Sequence, residues 1–190
     1  MRIIGGTSRG RRLSGPSGSG SRPTTGKVKE ALFNILAEKI PGARFLDLFA
    51  GAGAVGIEAL SRGAGSATFV ETHPATCRSL RDNLRRCAFE GVTDIRQVTA
   101  DRFLQQHTTD PAALPYDIVF LDPPYHTGEG GNILPALGRG VIIPRDGVVV
   151  IEHFHKTRLA DRIGHLALIK SYKYGDTVLS MYQRTPVEEP

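Results

Sequence analysis

Tryptophan is absent from this chain of 190 residues, cysteine and methionine occur twice each, and the first 29 positions hold no acid. Cys77 and Cys87 fall in one stretch of helical pattern, too far apart along it to bridge, which excludes a disulfide scaffold. Two unbridged thiols suit a reducing compartment, and a cytoplasmic address is the expectation. No apolar run is long enough to cross a bilayer. Met1-Arg2-Ile3-Ile4 turns to glycine and arginine too soon to form the apolar core of a signal peptide. His73, His126, His153 and His155 lack the cysteine or acid spacing of a metal site, so they read as surface or loop histidines and no metal is expected.

What the chain has is enough apolar residue, 40%, for a substantial core, and 23% charged residues, as in a water-soluble domain. Its length suits one domain with a small appendage. The net charge of +5 is unevenly placed. Arg2, Arg9, Arg11, Arg12, Arg22, Lys27 and Lys29 crowd the acid-free N-terminus, and a polyanionic partner is the simplest reason to hold like charges together.

Arg2-Ile3-Ile4 and Arg11-Arg12-Leu13 flank a glycine-containing turn and predict a small hairpin. Residues 14–21 are rich in Gly, Ser and Pro and predict a loop. Val28, Ala31, Leu32, Ile35 and Leu36 make a helical stripe, with Thr24 or Thr25 as its N-cap. Strands are then predicted over 43–48, 66–71, 92–99, 116–122 and 148–152, and helices over 55–61, 74–89, 102–106 and 133–137. Segments 165–172 and 177–183 form a closing hairpin around Lys173-Tyr174-Gly175-Asp176. Such alternation argues for an α/β fold: a mostly parallel sheet with helices on both faces and an antiparallel hairpin at the end.

Two motifs carry chemistry. Asp122-Pro123-Pro124-Tyr125 follows a short apolar run rich in β-branched and aromatic residues. The prolines stop the strand and hold the preceding backbone extended, so a carboxylate, carbonyls and an aromatic ring are presented on one stiff loop. That combination can clamp a flat heterocycle bearing an amino group. The second motif is the turn from Asp47 through Phe49, Gly51, Gly53 and Gly56, with Glu71 ending the next strand. The glycine spacing alone also fits a dinucleotide. Asp47 before the turn is the wrong sign for a pyrophosphate but suits a cationic amino-acid moiety. Glu71 suits a ribose with two hydroxyls, and Asp101, placed at the end of the following strand, can accept from an adenine amine. Three acids around one cleft fit S-adenosylmethionine better than a dinucleotide.

Together these residues resemble the class I, Rossmann-like methyltransferases acting on exocyclic amines. Arg2-Ile3-Ile4-Gly5-Gly6, Arg9-Gly10-Arg11-Arg12-Leu13, Arg22-Pro23-Thr24-Thr25, the run Glu30 to Leu36 and Tyr174-Gly175-Asp176-Thr177 narrow the resemblance to the bacterial 16S ribosomal RNA guanine-N2 methyltransferases. The chain departs from that pattern at Gly26, where an acid is common. The resemblance implies a seven-stranded sheet, a basic RNA-binding extension over residues 1–22, a catalytic domain over 23–184 and a loose tail over 185–190. It implies S-adenosylmethionine held by Asp47, Phe49, Gly51, Gly53, Glu71, Asp101 and Thr24. It further implies catalysis by Asp122, Pro123, Pro124 and Tyr125, and phosphate contacts by Arg9, Arg11, Arg12 and Arg22. The implied partner is 16S ribosomal RNA or the small subunit, met by a monomer without membrane contact. Asp122 acts either as base or as polariser of the amine, and Glu152 either lines the cleft or closes a strand. A DNA adenine-N6 methyltransferase, a nicotinamide-linked reductase and a non-catalytic RNA-binding assembly factor are the competing readings.

Overall fold

The computed structural model describes residues 1–15, 26–123, 130–139 and 142–185. The expected N-cap at Thr24 or Thr25, the phosphate-binding Arg22, and Pro124, Tyr125 and His126 lie outside the described residues, as do residues 186–190.

β1 (Arg44–Leu48), β2 (Ser66–Val70), β3 (Thr93–Arg96), β4 (Ile118–Leu121) and β5 (Val148–Phe154) pair in parallel. β6 (Arg162–Ile163), β7 (Leu166–Tyr174) and β8 (Thr177–Arg184) complete one sheet in the order β3-β2-β1-β4-β5-β8-β7-β6. β8 inserts between β5 and β7, antiparallel to both. Among the described residues the sheet therefore has eight strands, one more than the seven expected. The extra strand, β6, is two residues long and too short to leave a periodic signal.

The helices are α1 (Gly26–Ile35), α2 (Gly56–Ser61), α3 (Pro74–Cys87), α4 (Ala100–Thr109) and α5 (Gly130–Arg139). They divide the core in two. Phe45, Phe69 and Phe120 pack with Leu32, Ile57 and Leu80 on one side of the sheet. Leu46, Leu48, Val119 and Leu121 pack with Phe103, Leu104, Ile133 and Leu137 on the other. Being covered on both faces is why β4 and most of β5 are apolar without alternation.

α3 starts with Pro74 in its first turn and stops where Ala88 adopts a left-handed φ of 58°. α4 begins earlier than its apolar pattern predicts, and β3 ends at Arg96 rather than at residue 99. The cause is Thr99, whose hydroxyl accepts from the Arg102 N–H at 3.3 Å and caps the helix. Asp101 is thus in the first turn of α4, not at a strand's end.

The expected N-terminal hairpin is reduced to a single antiparallel bridge, Arg2 with Arg12, supported by Ile3 N–H donating to the Arg11 carbonyl at 3.0 Å. This arm is docked, not free. Ile3 and Leu13 are buried in the core on the α2 and α3 side, each contributing roughly 1.5–3 kcal/mol. Gly6 has φ +74°, and a Cβ there would lie 1.6 Å from the Ser61 carbonyl oxygen, so backbone meets backbone at a position that only glycine allows. Glu58 of α2 is fully buried and accepts four bonds. Ile4 and Gly5 N–H donate to it at 2.9 and 2.7 Å, and Lys29 Nζ and Arg62 Nε each lie 2.9 Å away. Lys29 also donates to the Arg2 carbonyl at 2.7 Å and is buried. Lys29, counted in sequence among the charges facing a polyanion, therefore belongs to the interior.

Candidate active site

Chain order around the sheet creates the site. From β1 the chain steps outward to β2 and β3, then returns to lay β4 against the other side of β1. In open α/β sheets, ligands bind in the crevice outside the carboxyl ends of the strands at such a reversal. The register brings the ends level: Leu48 lies opposite both Val70 and Leu121, and Val70 opposite Arg96. Phe49, Glu71 and Asp122 consequently leave the sheet side by side. These residues are far apart along the chain, and strand pairing is what gathers them.

The glycine turn has a closed side and an open side. Gly53 has φ +83°, and a Cβ there would come within 2.4 Å of Leu80 Cδ1. A Cβ at Gly56 would come within 2.3 Å of Phe69 Cε1. These two glycines let α2 pack directly on β2 and α3. At Gly51, φ is +55° and a Cβ would meet nothing within 4 Å, so the backbone there is open to a ligand. Phe49 carries the strain of a non-glycine residue at φ 66°.

Glu71 ties this turn to the start of α3. Its Oε2 accepts the Gly51 N–H at 3.0 Å and its Oε1 the His73 N–H at 2.8 Å. Thr72 Oγ1 also donates to Oε1 at 3.4 Å, so of about four acceptor sites on a carboxylate one remains, on Oε2, for a hydroxyl donor. Asp47 has a structural task that the sequence did not reveal. It is buried beneath the turn, and its Oδ2 accepts the Gly56 N–H at 2.9 Å, satisfying a donor at the start of α2. Burial pushes its pKa up to about 7, with the Gly56 hydrogen bond pulling down and the Glu71 charge pushing up. A carboxyl held near neutrality in this way is ready to ionise against a ligand cation. Asp101 is exposed on the α4 side of the same edge. Asp122 and Pro123 are half-buried at the end of β4.

Sequence reading missed Asn83. This fully buried amide on α3 accepts the Ser14 N–H at 2.9 Å and donates to the Ser14 carbonyl at 2.8 Å and to the Ala52 carbonyl at 2.9 Å. It links the base of the arm to the glycine turn. A polar residue on the buried stripe Cys77-Leu80-Leu84-Cys87 was the available signal. Glu58, inside the wholly buried α2, was another.

His153, expected at the surface or in a loop, is instead buried in β5. Its Nδ1 donates to the Phe154 carbonyl at 3.0 Å. Nε2 is then left to accept from the Ser180 hydroxyl at 2.9 Å, which lies 2.8 Å from Ser171 Oγ. Burial lowers its pKa, and the arrangement suits a neutral structural imidazole. Glu152 is buried on the neighbouring position of the same strand. Burial raises the pKa of both thiols, as for inert structural cysteines.

The chain is similar in sequence and in fold to known proteins. Ribosomal RNA small subunit methyltransferase D of Escherichia coli is 36% identical over 184 residues, covering 97% of this chain and 90% of that protein. The solved structure of the Escherichia coli protein yhhF superposes with a TM-score of 0.84 at 36% identity, over 97% of each chain. At 16% identity, an RNA methyltransferase from Salinibacter ruber, solved with S-adenosyl-L-homocysteine, shares the fold with a TM-score of 0.65, covering 89% of this chain and 97% of that one. Residues 1–183 match the model of the family described as conserved hypothetical protein 95. From the docked arm to the final hairpin, then, the chain belongs to that family, the bacterial small-subunit ribosomal RNA methyltransferases of the class I fold.

Proposed function

We propose that the protein methylates the exocyclic N2 amine of a guanine in 16S ribosomal RNA, using S-adenosylmethionine as donor. Family membership supports a ribosomal RNA methyltransferase. The observation that carries the site is the common level at which Phe49, Glu71 and Asp122 leave the sheet beside the open face of Gly51. The residues present fit the donor: an open glycine turn, a ribose-ready Glu71 and a carboxyl at Asp47 that a cation would ionise. Thr24 and Asp101 complete the proposed donor set. When bound, S-adenosylmethionine supplies an electrophilic methyl carbon on a positively charged sulfur.

The chain's own task is to make a reluctant nitrogen react. The guanine amine's lone pair is delocalised into the ring, and acceptors at its N–H groups favour rehybridisation and take up developing positive charge. Asp122 accepts one N–H and the Pro123 carbonyl the other. Asp122 then takes the proton, or polarises the amine while water removes it. Tyr125 stacks on the base, worth roughly 1–3 kcal/mol. A paired or stacked guanine is extruded into the pocket first. Arg9, Arg11, Arg12 and Arg22 grip phosphates, and the work is done by a monomer in the cytoplasm, where ribosomal RNA is found.

Transfer of labelled methyl to small subunits lacking the modification tests this directly, with protein-free RNA and duplex DNA as parallel substrates. Mass spectrometry should locate the label on the N2 of one guanine. Label on DNA adenine, or no transfer to any RNA substrate, would overturn the reading.

A further inference from the structure

We propose that the outward face of α3 is a second phosphate-binding surface for the RNA substrate, continuous with the N-terminal arm; this rests on the RNA methyltransferase reading above. The helix, PATCRSLRDNLRRC, turns Cys77, Leu80, Asn83, Leu84 and Cys87 inward and exposes Arg78, Arg81, Arg85 and Arg86 with one acid, Asp82. Arg78, Arg81 and Arg85 fall within one narrow sector of the helix. At ~1.5 Å per residue they span about 10 Å along its axis.

Helix stability accounts for two of these four arginines. Arg85 and Arg86 sit in the last turn, where cations meet the negative end of the helix dipole. Arg85 also has exposed partners in Asp82 at 3.3 Å and Glu90 at 3.5 Å. Arg78 and Arg81 have no such explanation. Arg78 and Arg81 both sit in the middle turns of the helix, beyond the reach of the dipole's ends. Among the described residues neither has an acidic partner within salt-bridge distance. Arg81 repels Arg85 one turn on, and Asp82, four residues on from Arg78, lies against Arg85 instead.

The arm adds to this positive surface instead of neutralising it. Arg11 donates to the Arg86 carbonyl, Arg86 donates to Ser14 Oγ at 2.8 Å, and Asn83 holds the Ser14 backbone in place. Arg11 and Arg86 are thereby brought together by backbone and hydroxyl groups rather than by a carboxylate. On the opposite side of the sheet, the first turn of α4 exposes the balanced pair Asp101 and Arg102. Positive charge is concentrated where the arm docks, and a phosphate backbone complements it.

The test is the double substitution Arg78→Gln/Arg81→Gln, with Arg78→Lys/Arg81→Lys as the charge-retaining control. Binding to protein-free RNA and to small subunits is titrated across salt concentrations, alongside S-adenosyl-L-homocysteine binding and the melting temperature. The neutral variant should weaken RNA binding about tenfold or more and lower the slope of log K against log salt by about one for each phosphate it no longer neutralises. Donor-product binding and melting should stay as in the parent protein, and the charge-retaining variant should keep most of the slope. An unchanged slope in the neutral variant, while the parent protein still methylates a guanine, overturns this surface and leaves the proposed function standing. If the parent protein neither binds nor methylates RNA, both fall. Weaker binding to subunits with unchanged binding to protein-free RNA would assign the face to an acidic protein and overturn its RNA role.

Discussion

The carboxyl edge of the sheet and the arm-docking face are opposites in charge and in construction. At the carboxyl edge, Asp47 lies within β1, Glu71 and Asp122 follow directly on the neighbouring strands β2 and β4, and Asp101 stands in the first turn of α4. At the arm, arginines are mounted on a segment whose anchoring acid, Glu58, comes from a neighbouring helix and is wholly internal. The difference separates two physical tasks. A small cationic ligand needs a few carboxylates held at fixed depth by strand register. A long polyanion needs exposed positive charge spread over a surface that does not shift. Asp47, Glu71 and Asp122 are therefore placed by the sheet, and the basic arm by burial of its apolar and polar backing.

The largest expected effect tests the acidic edge. Asp122→Ala should cut methyl transfer by about 10²–10⁴-fold while leaving S-adenosyl-L-homocysteine affinity nearly intact. Calorimetry and single-turnover rates check both halves, and near-normal turnover would remove Asp122 from the chemistry.

Glu58→Ala should be comparably severe for the basic region, but in stability. It leaves Lys29 buried without its carboxylate and frees the Ile4 and Gly5 N–H groups, at a cost of about 3–5 kcal/mol. Denaturant unfolding measures this. A destabilisation below about 1 kcal/mol would mean that Ile3, Leu13 and the bonds of Asn83 to Ser14 hold the arm without help from Glu58.

Neutralising the arm by Arg11→Gln/Arg12→Gln should weaken RNA binding about tenfold and reduce its salt slope by about one to two. Donor affinity should not change, because neither residue touches the carboxyl edge. A salt dependence equal to that of the parent protein would erase the functional contrast between the regions.

The smallest effect concerns pH. Asp47 is raised to about 7 from an ordinary 3.8, so the folded protein binds more protons than the unfolded chain between those values. The stability due to this group is fully present below about pH 4 and is lost as pH rises through 7. A ligand cation prefers the ionised carboxylate, so donor affinity should rise by less than tenfold per pH unit between about pH 6 and 8. Asp47→Asn should flatten that rise. An equally steep rise in the variant would show that Asp47 only supports α2.

Much of the fold was legible because its signals are local. The continuous run Ile118–Leu121 and the stripe of α3 declare a strand and a helix within a few residues, and Asp122-Pro123 marks where the strand must stop. Three features escaped for a matching reason. β6 is too short to show a period, α4 gained a turn through the Thr99 cap, and His153 became internal once β8 covered β5. Within the candidate site, the nearness of Asp47, Glu71 and Asp122 to strand ends was readable, but the support of Glu71 for Gly51 and the tie from Asn83 to Ala52 were not.

By itself the amino-acid order determined the alternating elements, the two motifs and the sign of charge at the N-terminus, because periodicity, proline and glycine act over a few bonds. Only the tertiary structure decided that Glu58 would meet Ile4 across 54 positions and Asn83 would meet Ser14 across 69. Hydrogen bonds and ion pairs of that kind depend on distance in space, which strand pairing and helix packing set.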